Sequence, residues 1–194
     1  HSTPQGGTNT MGSKPNIYLI GLSGTGKTRS GRRLAEILKW PFVEMDGIIE
    51  DRAGKSIPRI FDENGEEYFR DLESKILVEV AERGGRVVST GGGVPVRADN
   101  RTTMKRSGMV VRLRASPEEI HRRLASSVAQ RGRAVRPLLG TDTTIETLET
   151  MLNEREQMYA TADVTIDTEE KSHDQVAGLI VKAWQANEAA TTGD

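Results

Sequence analysis

Apolar and polar positions alternate along the chain between two periods. Five short apolar runs have the length and bounding of buried strands: Ile17–Ile20, Phe42–Met45, Val87–Thr90, Met109–Leu113 and Val164–Ile166. Between them the period lengthens to that of a helix. Arg29 to Leu38 gathers Leu34, Ile37 and Leu38 on one side, and Glu66 to about Glu82 carries a stripe of Phe69, Leu72, Ile76, Leu77 and Val80. A further helix is predicted from Ile145 to about Tyr159, and the last one aligns Val176, Leu179, Ile180, Ala183 and Trp184. Helix starts are predicted where a capping residue precedes Glu or Gln by three positions: Asn64…Glu67, Ser116…Glu119, Thr143…Glu146 and Ser172…Gln175. Strand and helix in turn imply βαβ units, hence an α/β fold of three layers whose parallel sheet is covered on both faces.

Three stretches break this rhythm. The segment 48–61 is expected to hold short helices around Ala53-Gly54; Gly91-Gly92-Gly93 follows the third strand; and 126–143 carries Arg131, Arg133 and Arg136 with few apolar anchors. In open α/β sheets ligands bind beyond the carboxyl ends of the strands, so such loops are candidate parts of a site.

Composition narrows the classes. The chain has 194 residues, 27 Lys+Arg against 28 Asp+Glu, and a net charge of -1, which gives no reason to expect nucleic acid or an anionic membrane as the partner. Cysteine is absent, excluding disulfides and thiolate metal sites and suiting a reducing, cytoplasmic setting. No apolar run approaches the ~20 residues of a membrane span. Residues 1–14 are expected to be a disordered arm or expression remnant without a secretory signal, 15–188 one domain, and 189–194 an unstructured tail.

Between the first strand and the first helix lies Gly21-Leu22-Ser23-Gly24-Thr25-Gly26-Lys27-Thr28, which fits G-x-x-x-x-G-K-[ST] in the required strand–loop–helix setting. Such a loop turns backbone N–H groups onto a phosphate at the positive end of a helix dipole. Lys27 would reach the β- and γ-phosphates and Thr28 would offer a hydroxyl to Mg²⁺. The second strand ends in Glu44-Met45-Asp46; strand alternation would put both carboxylates on one side, near the loop, to hold Mg²⁺ through water or to take a hydroxyl's proton, unless Asp46 only caps a helix. Glu73 falls within the apolar stripe of its helix, three residues after Arg70. A carboxylate there needs a partner, and the pair either presents Arg70 to an anionic ligand or is a structural salt bridge. Arg155, at the edge of an apolar face, wants a carboxylate from the protein or from a ligand. The three glycines imply unusual backbone angles or close approach to a ligand. The arginines before Pro137-Leu138-Leu139 are either a lid bringing charge to a phosphoryl group or a solvated basic loop.

Taken together, Gly21–Thr28, Met45-Asp46-Gly47-Ile48-Ile49-Glu50, Ile60-Phe61, Gly65-Glu66, Phe69-Arg70 with Glu73, Gly91–Gly93, Arg136-Pro137-Leu138-Leu139 and Asn153-Glu154-Arg155 with Tyr159 resemble the shikimate kinase family, from about Ile17 to Trp184. The resemblance implies a P-loop kinase fold with five parallel strands in order 2-3-1-4-5, a substrate-binding segment at about 46–75 and a mobile lid at about 126–143. It implies transfer of the γ-phosphate of ATP to the 3-hydroxyl of shikimate, with Mg²⁺, in aromatic amino acid biosynthesis; a monomer is expected because no surplus apolar stripe demands a partner. Asp46, Lys27 and Arg136 would be catalytic. Gly21, Ser23, Gly24, Thr25, Gly26, Lys27, Thr28, Arg123 and Arg136 would bind ATP, with Arg123 at the adenine. Asp46, Phe61, Phe69, Arg70, Glu73, Gly91, Gly92, Gly93, Arg136 and Arg155 would bind shikimate, its carboxylate meeting Arg70 and Arg155; Thr28 and Glu44 would serve the metal. The chain departs from the family pattern in three places. Glu44 replaces the usual Asp, the lid is long, and the usual R-x-P-L-Y reads Arg155-Glu156-Gln157-Met158-Tyr159, which predicts an unkinked helix and a small shift of Arg155. No N-K-x-D guanine motif occurs. The rivals are a kinase of another small acid such as gluconate, and a non-catalytic nucleotide-binding regulator.

Overall fold

A computed structural model describes residues 14–131 and 143–192, the side chains of 128–131 excepted. Five strands, β1 (Asn16–Ile20), β2 (Phe42–Glu44), β3 (Val87–Ser89), β4 (Gly108–Arg114) and β5 (Val164–Asp167), form one sheet in the order β2-β3-β1-β4-β5. Every pairing is parallel. The helices are α1 (Lys27–Leu38), α2 (Met45–Ala53), α3 (Ile57–Asn64), α4 (Glu66–Ala81), α5 (Ala98–Ser107), α6 (Pro117–Arg131), α7 (Ile145–Tyr159) and α8 (His173–Thr191), with a 3₁₀ turn at Val94–Val96.

Period-two alternation sorts the core into two layers. Along β1, Ile17 and Leu19 pack with Leu34 of α1 and Ile180 and Trp184 of α8, while Tyr18 and Ile20 face Ile49, Ile60, Phe69 and Ile76 from α2 to α4. A smaller cluster of Leu22, Ala115, Ile120 and Leu148 holds α6 and α7 behind the glycine loop. Both sheet faces are therefore buried, and the carboxyl ends of the strands remain the open edge. No helix among the described residues is long and apolar enough to cross a membrane.

Several local expectations change. β2 stops at Glu44 and Met45 already begins α2, so Asp46 is placed by a helical first turn and not by strand alternation. Asn64 ends α3; the turn before α4 is made by Gly65 at φ 87°, a left-handed conformation unsuited to a side-chain cap. The cap of α7 is Thr144, one residue later than expected, accepting from the Thr147 N–H. Ser116 and Ser172 cap as expected, the latter in a reciprocal box with Gln175. Ile37 and Leu179 are 41% and 39% exposed, at the margins of their stripes. The helix α8 continues through Ala189 to Thr191, so the start of the supposed tail is helical.

Candidate active site

The phosphate loop begins where β1 ends. Gly21 has φ 139°, and a Cβ there would collide with the Leu113 carbonyl oxygen of β4. At the far end Gly26, φ 94°, stands at the N-cap of α1 with no side chain capping the helix, which leaves the first N–H groups of α1 for a ligand. The loop is braced from within: the Thr25 hydroxyl donates to the Leu22 carbonyl at 2.8 Å, and the buried Lys27 ammonium donates to the Gly21 carbonyl. An open cleft of about 800 Å³ runs from here, lined among others by Gly24, Thr28, Glu44, Asp46, Arg123 and His173. Ser23 lies in the same loop.

Arg123 reaches this cleft from α6. Its guanidinium donates to Gly24 O at 3.2 Å and to the Thr168 hydroxyl and carbonyl at 2.9 and 3.1 Å, with Glu119 at 2.9 Å. Hydrogen bonds from Arg122, then Arg123, hold the Glu119 carboxyl down at about 2. His173 was not read from the sequence as a site residue. Its imidazole shares a 3.3 Å hydrogen bond with Ser30 and lies 3.8 Å from a Cβ position on Gly26, and partial burial, Arg29 and Arg123 lower its pKa.

The two residues expected to serve a metal meet: the Thr28 hydroxyl donates to Glu44 Oε2 at 2.8 Å. Among the described residues no group of three or more His, Asp or Glu is placed to hold a metal by itself. One hydroxyl and one carboxylate at the mouth of a phosphate loop fit Mg²⁺, a hard ion that keeps waters and takes phosphate oxygens as its other ligands.

On the other side of Asp46 a second group of charged side chains gathers against Gly91–Gly93 and outlines a candidate acceptor basin. Glu73 is 1% exposed on α4; its Oε1 accepts from Arg70 at 3.0 Å, while Oε2 has no hydrogen-bond partner among the described residues. Burial raises the Glu73 pKa against the opposing charge of Arg70, and Asp46 raises it further. Arg70 also lies 3.7 Å from Glu66 and over the Phe69 ring at 5.1 Å, and Phe69 packs on Phe61 with centroids 4.8 Å apart. The glycines 91–93 form the wall of this basin, and none of them has positive φ. The expectation of unusual angles is corrected; close approach is the reason. A Cβ on Gly93 would overlap the Arg70 guanidinium, one on Gly91 would lie 3.0 Å from Glu73 Oε2 and 3.1 Å from Asp46 Oδ1, and one on Gly92 would lie 3.5 Å from Arg155 Nη1. The protein's own charged groups crowd against that wall.

Arg155 arrives from α7, which runs unbroken through Tyr159 as the missing proline predicts. Among the described residues no ion pair involves Arg155. Tyr159, which the residue pattern alone did not assign a role, donates its hydroxyl to the Gly92 carbonyl at 2.6 Å and so fixes the wall. Arg136 and the Pro137-Leu138-Leu139 stretch lie outside the described residues, as does most of the expected lid; its first part, 126–131, is the end of α6.

A five-stranded parallel sheet, a phosphate loop and a carboxylate between that loop and an arginine basin define a P-loop small-molecule kinase. The profile of the family described as shikimate kinase matches residues 23–185, and the chain belongs to that family. A shikimate kinase of Parasynechococcus marenigrum is 44% identical over 150 residues, 77% of this chain and 75% of that protein. One from Caldanaerobacter subterraneus subsp. tengcongensis is 36% identical over 169 residues, 87% of this chain and 95% of that protein. The solved structure of Acinetobacter baumannii shikimate kinase in complex with shikimate superimposes with a TM-score of 0.80 at 36% identity, covering 90% of this chain and 94% of the other. The reaction is therefore ATP-dependent phosphorylation of shikimate to shikimate 3-phosphate.

Proposed function

We propose that Asp46 carries this reaction at the junction of the two basins. The observation behind this is that Asp46 lines the cleft of the phosphate loop and also approaches the glycine wall, 3.1 Å from the Cβ position of Gly91. Asp46 holds the 3-hydroxyl of shikimate and receives its proton as the oxygen bonds to the γ-phosphorus of ATP. The bond from that phosphorus to the β–γ bridging oxygen breaks, and ADP leaves. Little covalent work falls to the protein, so position and charge dominate. Lys27 releases the Gly21 carbonyl and, with Arg136, offsets charge on the transferring group. The backbone of Gly21, Ser23, Gly24, Thr25 and Gly26 cradles the phosphates, and Arg123 contacts adenine. Mg²⁺ would be held by Thr28 and, through water, Glu44, and would neutralise charge on the β- and γ-phosphates. Glu is one methylene longer than the Asp usual there, and the Thr28 hydrogen bond supports its carboxylate reaching the same place.

The acceptor's carboxylate is taken by Arg70, fixed by Glu73, and by Arg155. Gly91, Gly92 and Gly93 line one side of the ring and Phe61 and Phe69 pack near the other. The chain works as a cytoplasmic monomer on these small molecules, without nucleic acid or membrane, a reading supported by its balanced charge and lack of cysteine. Asp46→Asn tests the central assignment. In a coupled ADP-release assay kcat should fall about 10²–10⁴-fold while calorimetry finds shikimate still bound. Undiminished turnover would remove Asp46 from the chemistry.

A further inference from the structure

Arg155 sits in the last turns of α7, and something must hold that end of the helix in register with the glycine wall. The sheet supplies it. Arg112 lies in β4, paired in register with Ile20, the residue just before the phosphate loop. Its side chain is only 8% exposed, and a guanidinium leaving a central strand is costly unless fully paired. Glu156 pairs it with a two-pronged fork: Arg112 Nη1 donates to Oε1 at 2.9 Å and Nη2 to Oε2 at 2.6 Å. The same guanidinium stands 5.3 Å from the centroid of the Tyr159 ring, whose hydroxyl is tied to Gly92. The turn of α7 that follows Arg155 thus carries two residues, Glu156 and Tyr159, that both rest on Arg112. A fork of two parallel hydrogen bonds fixes rotation and axial position together, which apolar contact alone leaves loose.

We propose that Arg112 and Glu156 are positioning residues, a clamp from the sheet to α7 that aims Arg155 at the carboxylate of shikimate. In this chain the clamp does the work of fixing an α7 that has no proline after Glu156. The inference rests on the reading of Arg155 as a carboxylate ligand. The clamp also touches both halves of the site, since the strand that carries Arg112 also supplies Leu113 O, against which Gly21 is packed.

The test uses the full chain, with kcat and both KM values measured for Glu156→Ala, Glu156→Asp, Arg155→Ala and the Glu156→Ala/Arg155→Ala double variant. Loss of the fork should raise the KM for shikimate about tenfold, with kcat and the KM for ATP within about twofold. In the Arg155→Ala background the Glu156→Ala change should have no further effect on shikimate. Should Glu156→Ala fail to fold because Arg112 is left unpaired, Glu156→Asp carries the test, since it keeps the charge and shortens the reach. An unchanged shikimate KM in Arg155→Ala removes the ligand reading of Arg155 and the clamp's purpose with it. A raised KM in Arg155→Ala with none in the Glu156 variants overturns the clamp alone, as does a Glu156 effect that persists without Arg155. Equal losses for ATP and shikimate would make the pair merely structural.

Discussion

The two basins on either side of Asp46 are built in opposite ways. The donor basin is nearly local. Gly21–Thr28 is one unbroken stretch, its shape set by left-handed glycines at both ends and closed by bonds within the loop, from Thr25 to Leu22 and from Lys27 to Gly21. The acceptor basin has no such stretch. Phe61 comes from α3, Phe69, Arg70 and Glu73 from α4, the glycines from the turn after β3 and Arg155 from α7, and each is useful only when the others are packed in place. Local geometry is enough to bind phosphate, a group common to every nucleotide. Recognition of one particular acid requires charges held at fixed separations, and that is a product of tertiary packing.

If the halves are separable, damage to each should show in a different kinetic constant. The largest effect is expected on the donor side. Lys27→Ala should lower kcat about 10²–10³-fold, with the fold retained by circular dichroism and shikimate affinity unchanged by calorimetry. Second comes Arg155→Ala, which should raise the shikimate KM about ten- to a hundredfold by losing one charged hydrogen-bond pair, leaving the KM for ATP as it was. Steady-state kinetics with each substrate varied in turn check both.

A smaller effect tests the glycine wall. Gly93→Ala puts a methyl group where the Arg70 guanidinium lies. Arg70 must move, and the shikimate KM should rise about tenfold, while Gly47→Ala, with open space around its Cβ position, should change little. The smallest concerns pH. The Glu73 pKa is raised by burial and by Asp46, so on acidification Glu73 takes up a proton at a higher pH than an ordinary glutamate. The neutral form holds Arg70 less firmly. Shikimate binding should therefore begin to weaken above the usual carboxylate range, by a few-fold in KM. In Glu73→Gln the KM should be raised already and that limb of the pH profile should be gone.

How far each basin can be read from sequence follows the same division. The strands, the loop and its flanking elements are legible because period two and period 3.6 are local and the glycine motif is contiguous, whereas the strand order comes only from the family resemblance. Asp46 was found for an imperfect reason: the strand ends two residues earlier, and a helical turn delivers the carboxylate instead. The glycine triplet was recognised as special, but spacing could not say that its neighbours were the protein's own Arg70, Glu73 and Asp46. The Arg112–Glu156 pair spans 44 positions; Arg112 belongs to no motif and Glu156 fills the unspecified position of one. Only packing brings them together. His173 was hidden inside a helix-capping sequence, where its neighbours explained the residue pattern without it. Thr143 and Thr144 are chemically equivalent caps, and the register of α7 chooses between them.

The most direct measurement is the initial rate of ADP release at saturating ATP and Mg²⁺ as shikimate is titrated, with quinate and gluconate in parallel. Saturable release that depends on shikimate, with little from the other two acids, is the expected result. Equal turnover of gluconate would contradict the acceptor basin described for Arg70 and Arg155, and ATP binding without ADP release from any of the three would contradict catalysis at Asp46.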